Sequence, residues 1–259
     1  MSKKSDLSQA RQRLLGGGAV VFLALAILAA LQINSESFGV TVGYLAKDAL
    51  ASQGGSTVLA PAARTVFSVA PQVIVPLILG LSAFHMLLIR TKLKKQYDKG
   101  VNAGTWWFRW IHLAVTGLLT IELIGLMSGV TDLFTLKLMG GLIVIWALLG
   151  LVAERQAKAK QSPKLVYGLG LFAHILAALP IAASALLTSV YGLERLGWHM
   201  YALYGVFVVS GIAMAWNLGR QLRGRGVFKD YQYVERNYLA IDILTKSAFA
   251  VILILGLSG

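Results

Sequence analysis

Asp242 and Lys246 stand four residues apart in a strongly apolar stretch near the C-terminal end of the chain, where Lys246 sits within Ile-Leu-Thr-Lys-Ser-Ala-Phe. On a helix this spacing puts both side chains on one face, one turn apart, so that they can meet. An ionised side chain at mid-membrane costs about 2.5–3.5 kcal/mol or more, which makes each one a functional candidate with a partner nearby. Two readings of the pair are open. One is an internal ion pair that fixes helix packing. The other is a desolvated amine that condenses with the aldehyde of a ligand to a Schiff base, whose protonated form then requires a counterion.

A second group lies in Phe108-Arg109-Trp110-Ile111-His112, with Thr116 one turn beyond His112 on the same face. A buried histidine serves as a hydrogen-bonded packing residue or as a group that exchanges a proton near neutral pH. An arginine at this place is either a topology anchor at a helix end or part of the same site. The remaining ionisable residues inside apolar stretches are His85, Glu122 and His174, with His199 at the end of another. Glu122 lies ten residues beyond His112, roughly 15 Å further along a helix and about 80° off its face. It reads as a proton relay or as an interhelical hydrogen-bond partner.

Such residues have to be carried on long apolar helices, and the composition supplies them. Of 259 residues, 57% are hydrophobic and 14% charged, above the roughly 45–50% apolar content of soluble domains. Seven stretches approach the roughly 20 residues needed to cross a hydrocarbon core, at roughly 14–32, 66–89, 108–130, 134–152, 165–188, 198–218 and 238–258. The expectation is an all-α membrane protein, one seven-transmembrane-helix domain over residues 1–259, with the first span a retained helix rather than a secretory signal. With no cysteine, disulfides, thiolate metal sites and cysteine nucleophiles are excluded.

The net charge of +13 would suggest nucleic-acid binding in a soluble protein. Here the positions of the basic residues matter more. Lys3, Lys4, Arg11 and Arg13 precede span one; Arg90, Lys92, Lys94, Lys95, Lys99 and Arg109 join spans two and three. Arg155, Lys158, Lys160 and Lys164 follow span four, and Arg220, Arg223, Arg225, Lys229 and Arg236 follow span six. The opposite side receives only Lys47, Arg64, Lys137 and Arg195. The positive-inside rule then puts the N-terminus in the cytoplasm and the C-terminus outside, with the cell membrane as location and the lipid bilayer, not nucleic acid, as partner.

The exterior connection between spans one and two, about residues 33–65, is longer than the others and carries strand-like alternation. Phe38, Val40, Val42 and Tyr44 alternate with smaller or polar residues, and Gly54-Gly55 precedes Thr57-Val58-Leu59, so a short β-hairpin is expected there.

These features together resemble the heliorhodopsins, a family of the microbial rhodopsin superfamily, over essentially the whole chain. The resemblance rests on the inverted orientation, the long loop after the first helix, Leu81-Ser82-Ala83 before a histidine in span two, and Phe108-Arg109-Trp110 in span three. Glu235-Arg236 before a last helix with Thr245-Lys246-Ser247-Ala248 completes it. It implies a rhodopsin-like bundle, all-trans retinal held on Lys246 as a protonated Schiff base, a homodimer, and a slow photocycle usually without ion pumping. Two residues depart from the family pattern. His112 stands where the family has a glutamate counterion, and Asp242 where it has a serine. The expectation is therefore that Asp242 is the principal counterion and His112 its hydrogen-bonding neighbour or the proton acceptor after illumination. His85 is one residue nearer Ser82-Ala83 than the family histidine, about 100° of helix rotation. Arg109 and Thr116 complete the expected retinal site, with Trp146, Phe172, Tyr204 and Phe207 chosen as rings on spans four to six that could flank a polyene.

Three functions compete. The first is a light sensor that passes a movement to a cytoplasmic partner. The second is a light-driven or light-gated proton transporter that uses His112, Asp242 and Glu122, with His85 as a further relay. The third is a haem-binding electron carrier with histidines from separate spans as axial ligands, which leaves Lys246 unexplained. No enzyme is expected, since the sequence has no Gly-rich phosphate loop, metal-ligand cluster or triad spacing.

Overall fold

The computed structural model describes residues 3–54, 56–192 and 196–258. Gly55 of the expected turn and Arg195 of the sparse basic set lie outside the described residues. Helix α1 (Lys3–Gln32) leads into strands β1 (Phe38–Lys47) and β2 (Leu59–Val69). Helices α2 (Pro71–Arg90), α3 (Lys94–Asn102), α4 (Trp107–Met127), α5 (Leu133–Lys158), α6 (Lys164–Tyr191), α7 (Trp198–Arg223) and α8 (Tyr231–Leu257) follow. Among the described residues, seven helices are long and apolar enough to cross a membrane: all of these except the short α3.

Local chemistry sets the helix ends. Pro71 opens α2 at a position where its missing N–H is not needed. Asp132 caps α5 by accepting from Thr135 N at 2.8 Å, and Asp230 caps α8 by accepting from Gln232 N at 2.9 Å. Gly224, with φ +55°, closes α7 in the left-handed conformation that glycine adopts without penalty.

Around the bundle, α1 packs on α2 and α8, α2 on α4, α4 on α5, α5 on α6 and α7 on α8, and α6 meets α7 to close the ring. A core of Ile78, Leu79, Ile121, Ile124, Met139, Leu203 and Leu253 fills its centre. A second cluster around Trp110, Met214, Val234 and Tyr238 fills the end nearer the basic connections. Close approach there depends on a small residue: a Cβ on Gly150 would come within 2.3 Å of the Trp110 ring. Large apolar residues such as Val20, Ile27, Phe84, Leu138 and Leu244 point outward, a surface suited to hydrocarbon rather than water.

The hairpin pairs Phe38 with Val69 through Lys47 with Leu59, with a bulge between Val40 and Thr41. It is anchored to the α4–α5 turn: Val40 is buried against Leu126 and Leu136, and Thr41 N donates to Thr131 O at 2.8 Å. One expectation needs correction, and one element is new. Residues 66–69 belong to β2, not to span two, because the apolar run Val66-Phe67 continues a strand until Pro71 starts the helix. The connection between spans two and three contains α3, a polar helix that buries only Tyr97 and Val101, four apart on one face.

Candidate functional site

Three elements converge on Lys246. From α8, the turn between residues 242 and 246 brings Asp242 Oδ1 to 2.7 Å from Lys246 Nζ. From α4, His112 Nε2 reaches the same nitrogen at 2.7 Å, while its separation from Asp242 Oδ2 is 3.5 Å. An ammonium has three donors and no acceptor. His112 Nε2 is therefore the acceptor, which assigns the neutral imidazole with its proton on Nδ1. From α2, His85 stacks on His112, ring centroids 4.1 Å apart and planes 12° from parallel. Rings this close cannot be axial ligands on opposite faces of a porphyrin, which removes His85 with His112 as a pair for the haem reading.

Lys246 and Asp242 open into a mostly apolar cavity between α4, α5, α6, α7 and α8, which Thr116 also lines. Trp146, His174 and Phe207 form its aromatic wall: His174 lies 5.0 Å from Trp146 and stacks on Phe207 at 5.0 Å. Gly211 makes this packing fit, because a Cβ there would come within 2.3 Å of His174 Nε2.

Arg109 lies elsewhere. It is buried, with ion pairs to Glu154 at 2.5 Å and to Glu235, and it contacts Tyr231 OH at 3.1 Å and the Tyr238 ring at 3.8 Å. Trp110 Nε1 and Gln221 Nε2 donate to the same Glu154 carboxylate at 2.8 and 2.9 Å. Tyr97 OH donates to Glu235 at 3.3 Å, and burial pushes the Tyr97 phenol up to about 12. The guanidinium is neither a surface anchor nor a lining group of the Lys246 cavity, since two carboxylates draw it toward the basic end.

The match that decides the family is a heliorhodopsin family model that aligns with residues 12–257. The chain belongs to the heliorhodopsin family. No curated protein matches it. As a heliorhodopsin it is a multi-pass membrane protein of a light-sensing, retinal-type family, and the lipid bilayer is its environment. The family implies a retinal chromophore. The cavity suits that group, with an amine set among predominantly apolar walls.

Of the residues singled out from sequence, Lys246, Asp242, His112, Thr116, Trp146 and Phe207 come together at this heliorhodopsin cavity. Phe172 and Tyr204 do not line it. Phe172 is 58% exposed on the outer face of α6, and Tyr204 donates to Ser128 Oγ at 2.9 Å instead. Glu122 accepts from Lys137 at 2.9 Å, an interhelical ion pair between α4 and α5. His174 was visible as a buried titratable residue but not as a wall, since only the fold brings it against Phe207. Glu154 was overlooked because the apolar run of span four ends before it, whereas α5 continues to Lys158.

Proposed function

We propose that this heliorhodopsin is a photoreceptor in which Lys246 anchors all-trans retinal, Asp242 is the counterion, and His112 accepts the proton displaced by light. The observation that carries the reading is the pair of 2.7 Å contacts from Asp242 and His112 to Lys246 Nζ at the end of an aromatic-walled cavity. Bound retinal supplies an aldehyde that condenses with the Lys246 amine with loss of water, and a conjugated polyene that absorbs visible light and isomerises. Asp242 supplies the negative charge that a cation at the Lys246 nitrogen needs in a low-dielectric interior. His112, neutral and aimed at the same nitrogen, supplies a second acceptor. Once the nitrogen has a single N–H, the two residues compete for it. Trp146, His174 and Phe207 exclude water and bound the polyene, and Thr116 lines the same cavity.

Orientation belongs to the same proposal. The basic connections cluster at the end of the bundle away from the hairpin, which supports a cytoplasmic N-terminus and an exterior C-terminus. The family resemblance supports a homodimer and a cytoplasmic signalling partner. The transport reading keeps His112 and Asp242 but loses Glu122 as a free relay, because Lys137 holds it. Illuminated cells without a protonophore-sensitive pH change or photocurrent would favour the sensor.

The test is expression with all-trans retinal. The parent should form a visible band that Lys246→Ala lacks. A band of equal strength in both would refute the anchor.

A further inference from the structure

We propose that Glu235 carries a proton in the resting protein and, through a small void toward Asp242 and His112, is the proton store of the Lys246 site. The proposal rests on the retinal reading only for the destination of that proton. Its basis is a mismatch of charge and of hydrogen-bond donors around Arg109.

Within the bundle, the buried or half-buried cations Arg11, Arg109 and Lys246 face four carboxylates, Asp98, Glu154, Glu235 and Asp242. Asp242 is matched by Lys246 and Asp98 by Arg11, which leaves one guanidinium between two glutamates. The other groups on the elements packed there do not restore the balance. Tyr97 from α3 and Tyr231 and Tyr238 from α8 are phenols. His85 from α2 stacks on His112, itself an acceptor toward Lys246. Arg11 from α1 lies over the Tyr97 ring and is answered by Asp98, which the exposed Lys94 also bridges. An uncompensated carboxylate in a low-dielectric interior is costly, and binding a proton removes the cost.

The donors decide which glutamate takes it. Glu154 receives Arg109, Trp110, Gln221 and Tyr231. Glu235 receives Arg109 on Oε2 and only Tyr97, at 3.3 Å, on Oε1. The negative charge therefore belongs to Glu154 and the proton to Glu235 Oε1, the oxygen turned away from the guanidinium.

Placement then gives the proton a destination. Glu235 and Asp242 are seven residues apart on α8, two turns along one face. A void lined by His85, Arg109, His112, Glu235 and Asp242 lies between them, with room for about one water. His85 Nδ1, buried beside that void, has no hydrogen-bond partner in the protein, as expected of a group that bonds such a water. In the transfer, the O–H bond at Glu235 Oε1 breaks and its electron pair stays on a carboxylate paired with Arg109. A water in the void relays the proton, and an O–H bond forms at Asp242 Oδ2.

Infrared spectra of the full-length protein in lipid, first without retinal and in the dark, test the resting state. The parent should show a carboxylic-acid C=O band that shifts in D₂O, is lost in Glu235→Gln, and changes frequency in Glu235→Asp but not in Glu154→Asp. A band that survives Glu235→Gln, follows Glu154→Asp or is absent from the parent overturns the proposal. After retinal is added, illumination should perturb the same band. A band unmoved by light overturns the storage role. Failure of the retinal anchor would show separately, as a visible band in Lys246→Ala, and leaves the dark spectra decisive for Glu235.

Discussion

His112 Nε2 lies 2.7 Å from Lys246 Nζ and accepts from it when that nitrogen is a cation. This fixes the division of labour with Asp242, because a neutral acceptor takes a proton without supplying the resting charge. His112→Phe should keep a visible band once retinal is added, since Asp242 remains. It should lose most of the flash-induced blue-shifted absorbance, by about tenfold or more. Flash photolysis of parent and variant decides this, and an undiminished signal in His112→Phe removes the acceptor role.

Asp242 offers the only carboxylate within hydrogen-bond distance of Lys246 among the described residues. Removing an opposite charge at this range moves a titration by about 1–3 pH units. A cation loses support when its anion is removed, so the visible band of Asp242→Asn should disappear at a pH lower than the parent's by about one unit or more. Alkaline titration of the absorbance measures it. A variant as strongly coloured and as alkali-resistant as the parent would exclude Asp242 as counterion.

Arg109 pairs with the buried Glu154 carboxylate and also bonds Glu235, and truncating one partner of a buried ion pair leaves the other uncompensated. Arg109→Met should cost about 3–5 kcal/mol. Combining it with Glu154→Gln should restore part of that, because one orphaned charge is then gone. Thermal unfolding in one detergent compares the three proteins. If the double variant is no more stable than Arg109→Met, charge burial is not what the arginine relieves.

Tyr97 gives a pH signature outside the spanning helices. Its folded-state value is raised by burial from 10.0 to about 12. A raised value means that stability is fully present below pH 10 and declines as pH climbs toward 12, by about 2–3 kcal/mol in all. Tyr97→Phe should therefore lose less stability than the parent across that window. The slopes are to be compared rather than the absolute values, since phenylalanine also gives up the bond to Glu235. Equal slopes would mean that the phenol titrates as freely folded as unfolded.

The seven helices, the hairpin and the family were legible in the sequence for physical reasons. Spans are written as long apolar runs, and Asp242 and Lys246 share a face through the helix repeat alone. Residues from different helices were less legible. His112 could be matched to Lys246 only through a family alignment, and no periodicity brings His85 onto His112 or His174 onto Phe207. Arg109 is expected at the retinal site from the family pattern, but Glu154 and Glu235, which no periodicity pairs with it, hold it toward the basic end. Its partner Glu154 lies past the apolar part of α5, in a stretch that looks like a loop by hydropathy. Strand β2 borrowed the apolar look of a span until Pro71, and α3 is too polar and short to announce itself.

Gly211 offers a test of the cavity wall that leaves the lysine, its anion and its acceptor untouched. A Cβ at this position would come within 2.3 Å of His174 Nε2, and His174 stacks on Phe207 at 5.0 Å, so the ring must move when the methyl is added. The direction open to it is the cavity, where it would take space beside Trp146. Overpacking of this kind typically costs about 1–3 kcal/mol. If retinal occupies the cavity, Gly211→Ala should bind it more weakly by roughly the tenfold that 1.4 kcal/mol represents, and shift the visible band. His174→Ala in the same background should recover binding by making room. Retinal titration followed by absorbance reads both. Unchanged binding and colour in Gly211→Ala would place the chromophore away from the wall formed by His174 and Phe207.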